Sequence, residues 1–309
     1  MKKIAASLLS SAAMLGMIPI GSQALDPLHT ALHEGVTYNF DITDGKAEIL
    51  SVSGAKGQIT IPSELENYTV VSIGDKAFLG SAELESVCFP DTLENIGQSA
   101  FAGCTSITQL SIPDSVKTIG DSAFMGCTNL STVSVGKGIT EIPADCFFSC
   151  PSLADINLPD NLQMIGNEAF YGCPDLYAII PETVTYIGYY ALGYQQDVHS
   201  PVTVKTNDFI VGGKIGSAAE TYANEYGLDF LDPDNYLEGD VNKDGKVDAK
   251  DASAVLAEYS SASTGSDLTF TRWQRIVGDM KQDSIIDAND ASRILIEYAR
   301  LSTLPDLSL

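Results

Sequence analysis

One six-residue pattern recurs through the middle of the chain and constrains its fold more than any other feature. The pattern is Ile-Gly-x-x-Ala-Phe, and its copies and variants begin at Ile73, Ile96, Ile119, Ile142, Ile165 and Ile187. The starting residues are 23 apart, except for a last step of 22. A fixed period of this length is typical of solenoids, in which each unit buries its apolar face only by stacking on its neighbours.

Three rows of apolar residues follow the same spacing. They are Val87, Leu110, Val133, Ile156 and Ala178; Phe89, Ile112, Val135, Leu158 and Ile180; and Phe78, Phe101, Phe124, Phe147, Phe170 and Leu192. Within one repeat, residues 108–113 alternate between apolar and polar side chains, which indicates a half-buried strand. The fold class predicted is therefore a repeat solenoid with a parallel β-sheet on one face and short helical or irregular return segments.

The N-terminal part predicts an exported chain that begins with a cap. Residues 1–24 carry a basic start, an apolar run and small residues before Leu25, which is the pattern of a signal peptide and predicts a secreted, extracellular protein. Residues 25–68 precede the regular repeats, and the turn signal Asp44-Gly45 between two apolar segments predicts a β-hairpin there. We expect this hairpin to cover the open end of the solenoid, residues 69–232.

Charge and residue types exclude several classes of function. The formal net charge of −24 disfavours nucleic acid and anionic membrane surfaces as partners. The chain has three histidines and none of the common nucleophile, zinc-protease or phosphate-loop motifs. We therefore predict a protein that is not an enzyme, without catalytic residues, although a carboxylate pair brought together by the fold stays an alternative.

We call the predicted solenoid, residues 69–232, the rod. The outward residues of its predicted strands form the candidate ligand surface. They are Gln109, Ser111, Thr132, Ser134, Asp155, Asn157 and Tyr177, joined by Tyr189 and Tyr190 near the far end. The strand residues are mostly neutral and able to form hydrogen bonds, so a binding face and a plain solvated face both remain open. Exposed tyrosines favour interfaces and also stack on sugar rings, whereas covering the end of the core is the alternative role.

Four of the six cysteines occupy one position of the repeat. Cys104, Cys127, Cys150 and Cys173 are 23 residues apart, which places them in a column. Buried small apolar residues are one interpretation, and disulfides between adjacent units are another. A straight column does not suit the tetrahedral geometry of zinc.

The repeat itself carries a resemblance to a known family. Residues 111–127, Ser-Ile-Pro-Asp-Ser-Val-Lys-Thr-Ile-Gly-Asp-Ser-Ala-Phe-Met-Gly-Cys, resemble the unit of the BspA-like, or Treponema-type, leucine-rich repeats. The resemblance covers about residues 38–230. It implies adhesion or protein binding on bacterial surfaces.

After a short polar link, residues 233–237, the sequence changes to a motif with the spacing of a calcium loop. Oxygen donors stand at loop positions one, three, five, nine and twelve, with Gly245 at position six. The predicted ligands are Asp240, Asn242, Asp244, Asp248 and Asp251, with the backbone carbonyl of Lys246 at position seven.

A second copy of this loop follows 39 residues later and is altered. Asp279, Asp283, Asp287 and Asp290 remain as candidate ligands, with the backbone carbonyl of Ile285 at position seven. Lys281 replaces an oxygen ligand at position three, and Ser284 replaces the glycine. The cofactor predicted is Ca²⁺, with one strong site and a second that is weakened.

Two duplicated loop–helix units with Asp at position twelve resemble the type I dockerin of cellulosomes, over residues 238–305. The resemblance implies a small all-α module that folds on Ca²⁺ and binds a cohesin module of a scaffoldin. It further implies that the cohesin contacts come from loop positions ten and eleven and from nearby helix residues. These are Ala249, Lys250, Ser253, Ala288, Asn289, Ser292 and Arg293.

Together these features predict a secreted, non-catalytic component of a cellulosome-like assembly, held at the cell surface or on the cellulosome through a scaffoldin. The rod is expected to bind a protein. A carbohydrate-binding rod and an enzyme with an unrecognised site in the repeats are the two alternatives.

Overall fold

The computed structural model describes residues 29–197, 199–265, 269–282 and 285–302, so the predicted signal peptide lies outside the described residues. The strands are β1 (His29–His33), β2 (Val36–Thr43), β3 (Lys46–Ser53), β4 (Gly57–Thr60), β5 (Glu64–Leu65), β6 (Tyr68–Ile73), β7 (Leu84–Cys88), β8 (Asn95–Ile96), β9 (Gln109–Ser111), β10 (Thr118–Ile119), β11 (Thr132–Ser134), β12 (Glu141–Ile142), β13 (Asp155–Asn157), β14 (Met164–Ile165), β15 (Tyr186–Ile187), β16 (Tyr194–Gln196), β17 (Thr203–Lys205), β18 (Ile210–Gly212) and β19 (Asp229–Leu231). The helices are α1 (Ala218–Tyr226), α2 (Ala249–Thr264), α3 (Arg272–Gly278) and α4 (Ala288–Ser302).

The repeats stack through two parallel ladders. In the first ladder, β9, β11 and β13 pair in register, and β4 pairs with β7 in the same direction. In the second ladder, β6, β8 and β10 pair in parallel, and so do β12, β14 and β15. The predicted solenoid with a parallel sheet is therefore confirmed, while the second ladder is new. Most of its strands are two residues long, too short for an alternating pattern to reveal them.

A column of stacked phenylalanine rings forms the centre of the rod. The rings of Phe78, Phe101, Phe124, Phe147 and Phe170 follow one another at centroid distances of 4.6, 5.6, 5.5 and 5.4 Å. All five side chains are buried. Each ring is covered by the copies above and below it, so the core of one repeat is completed only by its neighbours.

The cysteine column runs beside the phenylalanines and consists of free thiols. The Sγ atoms of Cys104, Cys127, Cys150 and Cys173 donate hydrogen bonds, at 3.2–3.4 Å, to phenylalanine carbonyl oxygens of the preceding unit. The interpretation as buried small residues therefore fits the structure, and disulfides between units do not. Burial raises the pKa of Cys104 to about 11 and of Cys173 to about 12.

The return segments between residues 69 and 197 consist of turns. The sequence allowed short helical or irregular return segments, and in this described part of the chain no helix is found. Each unit contains two residues in the left-handed region, for example Ser99 (φ 53°) with Gly103 (φ 72°) and Ser122 (φ 57°) with Gly126 (φ 71°). The N–H of Ser99 donates to Asp121 and that of Ser122 donates to Ala144, in the next unit. Gly120 lies so close to the previous unit that a Cβ atom there would come within 2.4 Å of the Gln98 nitrogen. A larger residue at this position would therefore push two units apart.

The first end of the rod is closed by an antiparallel sheet. Strands β1, β2 and β3 form a meander, and the turn between β2 and β3 contains Asp44 and Gly45, both at positive φ. Strand β3 then pairs in parallel with β6, which continues the second ladder. Tyr38 and Phe40 of β2 are fully buried, so the sheet covers the core of the first repeats.

The other end of the rod packs against the C-terminal helices. Ile210 of β18 and Leu231 of β19 belong to the same buried cluster as Val255 of α2 and Ile294 of α4. The predicted link, residues 233–237, follows Asp232, whose carboxylate accepts bonds from the N–H groups of Ile215 and Asp234. The apolar cluster of the module therefore includes two residues from the last strands of the rod, beside the separate main core of the rod.

We predict that Phe124→Ala lowers the free energy of unfolding by about 3–5 kcal/mol, because it leaves a cavity between two stacked rings. Urea unfolding followed by circular dichroism measures the loss. Met125→Ala is the control, since the neighbouring Met125 is 41% exposed and its truncation is expected to cost less than about 0.5 kcal/mol. Equal stabilities of the two variants would contradict the ring column as the core.

We predict that one thiol of the native chain reacts with an aromatic disulfide reagent at pH 8, and six react after denaturation. Cys88 is exposed, whereas the other five cysteines are buried and have a raised pKa, so they carry little reactive thiolate at this pH. Cys88→Ser is expected to abolish the fast reaction. Several fast thiols in that variant would show that the column is open.

Candidate functional site

The first ladder brings most of the predicted rod residues together. Gln109, Thr132 and Asp155 are direct partners across β9, β11 and β13, and an isolated bridge continues this row to Tyr177. Ser111, Ser134 and Asn157 form the neighbouring row in the same register. The structure therefore builds two parallel columns of polar side chains, with Thr132 and Tyr177 half-buried and the others exposed.

A surface depression lies at the far end of these columns. It has a volume of about 470 Å³, and Asp155, Asn157, Tyr177 and Ile179 are among the residues that line it. Ile179 is an exposed apolar residue in a mostly polar surface. The depression therefore offers a carboxylate, an amide, a phenol and an apolar contact to the same ligand.

Tyr189 and Tyr190 do not belong to this face. They lie in the turn after β15, which is the last strand of the second ladder, and the centres of their rings are 5.1 Å apart. Tyr190 also packs on Tyr194 and Tyr226, which places it in an aromatic cluster at the end of the rod. Tyr189 is 48% exposed, but Tyr190 is half-buried, so the expectation of two outward tyrosines is wrong for Tyr190.

The first candidate calcium loop is closed by hydrogen bonds from its own backbone. The carboxylate of Asp240 accepts from the N–H groups of Asp244 and Gly245. The carboxylate of Asp251 accepts from those of Asn242 and Asp248. Asp248 also forms a capping box with Asp251 at the start of α2. Asp251 of α2 thus accepts hydrogen bonds from an early and a late position of the loop, Asn242 and Asp248, and so fixes the loop against the start of the helix.

The donor set of the first loop fits a calcium ion. Asp240, Asn242, Asp244, Asp248 and Asp251 supply oxygen atoms, and Ca²⁺ takes six to eight oxygen ligands. Asp251 is fully buried and Asp240 nearly so, and burial raises the pKa of Asp251. The N–H groups that donate to these carboxylates carry no net charge, so they leave the negative charge of the carboxylates uncompensated. A bound cation would compensate that charge.

The described residues, those of the first loop included, contain neither a preformed cluster of metal-binding side chains nor a membrane span. Over residues 29–197, 199–265, 269–282 and 285–302, no three His, Cys, Asp or Glu side chains are clustered closely enough to hold a metal ion. A calcium ion in the first loop would therefore require its carboxylates to lie closer together than they do here. Among these same residues, no helix combines the length and apolarity that a membrane span requires.

The second loop repeats the backbone bonds of the first. The carboxylate of Asp290 accepts from the N–H groups of Lys281 and Asp287, which correspond to Asn242 and Asp248. Asp279 is the C-cap residue directly after α3, and the side chain of Ile285 is exposed. Asp283, another predicted ligand, lies outside the described residues. The hydrogen bond from Lys281 lowers the pKa of Asp287 to about 2.

The residues predicted to contact a cohesin lie on the first turns of two module helices. Ala249, Lys250 and Ser253 are exposed on the first turns of α2, and Ala288, Asn289, Ser292 and Arg293 are exposed on the first turns of α4. The hydroxyl groups of Ser253 and Ser292 donate to the carbonyl groups of Ala249 and Ala288. Helices α2 and α4 also pack on each other.

Five large apolar residues of these helices are exposed and were not assigned to the site from the sequence: Ile296, which is 68% exposed, and four that form two related pairs. Leu256 and Tyr259 of α2 are 44% and 41% exposed, and Leu295 and Tyr298 of α4 are each 44% exposed. The pairs are related by the same offset of 39 residues as the loops. We name these four residues the apolar pairs. The sequence shows them as part of an apolar helix face, and only the packing reveals that this side is uncovered.

Two further contacts of the module were also missed. The buried carboxylate of Glu258 accepts bonds from the N–H groups of Thr269 and Phe270, which lower its pKa against the effect of burial. Lys243, within the first loop, lies 4.4 Å from the ring centre of Trp273 and 3.7 Å from Asp229 of the rod. A salt bridge therefore connects the first loop to the rod.

The repeats match a known family of sequences. Residues 71–199 match the BspA type leucine rich repeat region, in six copies, which confirms the resemblance for this part of the chain. The match ends before the C-terminal loops and gives no support to the dockerin resemblance. No curated protein matches the chain.

Several solved bacterial structures are similar to the chain. A leucine rich cell surface protein from Faecalibacterium prausnitzii A2-165 is 28% identical, over 60% of this chain and 62% of that chain, with a TM-score of 0.42. A leucine-rich repeat protein from Eubacterium ventriosum ATCC 27560 is 25% identical, over 52% and 48%, with a TM-score of 0.40. A leucine rich repeat protein from T. pallidum is 24% identical, over 45% and 88%, with a TM-score of 0.29.

Proposed function

We propose that this chain is a secreted, non-catalytic binding protein with two functional surfaces. The first ladder of the rod presents a protein ligand site, and the C-terminal module docks in a calcium-dependent way onto a cohesin module of a scaffoldin. The observation that carries the proposal is the duplicated surface of α2 and α4. Each helix exposes the same apolar pair, Leu256 and Tyr259 or Leu295 and Tyr298, beside an equivalent serine, Ser253 or Ser292.

The composition of this surface supports docking. Interfaces between proteins combine an apolar centre with a polar rim, and aromatic residues are enriched among those that contribute most to affinity. Here Tyr259 and Tyr298 supply aromatic area, while Lys250 and Arg293 add charged groups near the helix starts. Because the two copies are related by the repeat, either helix can present its apolar pair to a single receptor.

Calcium would act on this surface through the first loop. When bound, the ion supplies positive charge at the carboxylates of Asp240 and Asp251. These two residues hold the loop backbone, and Asp251 lies in the first turn of α2. Neutralising their buried charge would stabilise the start of α2, where Ala249, Lys250 and Ser253 are presented.

The rod is suited to a ligand that follows its axis. The two polar columns are held at the spacing of the ladder, about 5 Å between strands, by strands whose other side is buried in the core. A surface that is already ordered loses little conformational entropy on binding. Because its polar groups recur along the rod, a protein partner with an extended segment would contact several of them at once. The signal peptide pattern and scaffold docking together would place this surface outside the cell.

A carbohydrate-binding rod is the second candidate, favoured by Tyr177 in the depression and by the exposed ring of Tyr189. Flat aromatic rings stack on sugar rings, and Asp155 and Asn157 beside Tyr177 would bind hydroxyl groups. Affinity-gel electrophoresis with plant polysaccharides distinguishes the two candidates. Retardation that is lost in Tyr177→Ala or Tyr189→Ala would favour the carbohydrate.

We predict that the full chain binds type I cohesin modules, displayed as an array, in the presence of Ca²⁺ and at least tenfold more weakly in the presence of EGTA. The double variant Leu256→Asp and Leu295→Asp is expected to lose binding by at least tenfold, because it places charge on both copies of the docking surface. Each single variant is expected to keep most of the affinity if the two copies are equivalent.

Leu79→Asp is the matched control for these variants. Leu79 is 54% exposed and lies on the rod, so the same substitution there is expected to leave cohesin binding unchanged. Binding that survives the double variant, or that is insensitive to EGTA, would remove the docking proposal.

We predict that Ser134→Arg weakens capture of the rod's protein ligand by at least tenfold, whereas Thr118→Arg does not. Both residues are exposed, but Ser134 lies on the first ladder and Thr118 on the second. The measurement is capture from the native secretome by the immobilised full chain, followed by titration of the purified partner. Turnover of a polysaccharide or peptide that disappears on changing one carboxylate would instead indicate an enzyme.

A further inference from the structure

The two loops of the C-terminal module share one backbone design. In each loop, the aspartate at position twelve accepts bonds from the N–H groups of positions three and nine. The distances are 3.2 and 2.9 Å for Asp251, and 3.2 and 2.8 Å for Asp290. Both aspartates are fully buried. The loops therefore hold their acidic groups in the same way.

The loops differ at position three, where the side chain has opposite chemistry. In the first loop, Asn242 supplies a carbonyl oxygen, which accepts a bond from the N–H of Asp244. In the second loop, the ammonium group of Lys281 lies 3.0 Å from the carboxylate of Asp287, at position nine. The side chains of Lys281 and Asp287 are only 19% and 24% exposed. This ion pair therefore lies inside the loop rather than at its outer surface.

An ammonium group and a calcium ion compete for the same oxygen atoms. Calcium needs six to eight oxygen ligands, and Lys281 supplies none while it occupies an oxygen of Asp287. The lysine also reduces the negative charge of the ligand set. From the sequence, the side chains at positions one, three, five, nine and twelve carry a formal charge of −4 in the first loop. The second loop carries −3, because it has four aspartates and one lysine.

The first loop contains three lysines, but none of their side chains stands at a ligand position. Lys243 contacts Trp273 and Asp229, and Lys250 lies 3.7 Å from the carboxylate of Asp244 while its own side chain is largely exposed. Lys250 thus meets a candidate ligand from the exposed side of the loop, and Lys246 offers only its backbone carbonyl at position seven. The donor set of the second loop does not fit calcium, whereas that of the first loop does.

We infer that Lys281 is a built-in cation of the second loop, so that the module takes a single Ca²⁺, in the first loop. The lysine pairs with Asp287 in the place where the first loop presents only oxygen atoms. This inference rests on the proposed calcium binding of the first loop. Its consequence is that the two halves of the docking surface are unequal, because only the start of α2 responds to calcium.

Calcium stoichiometry of the chelator-treated full chain tests this inference by isothermal titration calorimetry. The wild type is expected to bind one Ca²⁺. Lys281→Asn restores the residue type of the first loop and is expected to raise the number to two, and Lys281→Gln serves as a second carbonyl-bearing variant. Adding Asp240→Ala to either variant is expected to return the number to one.

Lys117→Asn is the matched control, because it removes the same charge from an exposed lysine of the rod and is expected to leave one site. Circular dichroism checks that each variant is folded. A wild type that binds two ions, or folded Lys281 variants that still bind one, would overturn the inference. A wild type that binds none would instead refute the proposed calcium function, and uptake of one ion by Lys281→Asn would then still support the role of Lys281.

Discussion

Stacking of each unit on the next is the interaction on which the whole rod depends. A single repeat offers one phenylalanine, one small residue and a few aliphatic side chains, too few to bury a core alone. Stacking completes the core, because the ring of Phe101 lies between the rings of Phe78 and Phe124. This stacking requires the backbones of neighbouring units to approach as closely as they do at Gly120. The same approach lets each thiol of the cysteine column donate to a carbonyl of the preceding unit. Packing and hydrogen bonding therefore require the same spacing between units.

A stacked core has two open ends, and the chain closes them differently. The meander of β1–β3 covers the first end with Tyr38 and Phe40. At the other end, Ile210 and Leu231 extend the rod into the apolar cluster of the C-terminal helices. The module is thus part of the closure of the rod. A partner held by the module would be held in a defined orientation relative to the ladder face, because the connection is packed rather than a free tether.

Much of the rod and part of the candidate site follow from periodicity. The 23-residue spacing predicts the phenylalanine and cysteine columns, and alternation predicts that Gln109 and Ser111 face outward. Short or non-periodic features escape this reasoning. The two-residue strands of the second ladder, the seven-residue α3 and the half-buried position of Tyr190 depend on contacts between segments distant in sequence. The apolar pairs of α2 and α4 could be read only as an apolar helix face, since a sequence does not show which face is covered.

The sequence by itself determined the repeat, its register, the acidic loop motif and the replacement of an oxygen ligand by Lys281, because these are properties of residue type and spacing. The tertiary structure alone decided what those residues do with each other. It paired Lys281 with Asp287 inside its loop, left the four cysteines of the column as free thiols that donate to carbonyls, and joined the rod to the module through Ile210 and Leu231. The physical reason is that ion pairing and burial depend on distances in space, which local spacing constrains only within one repeated unit.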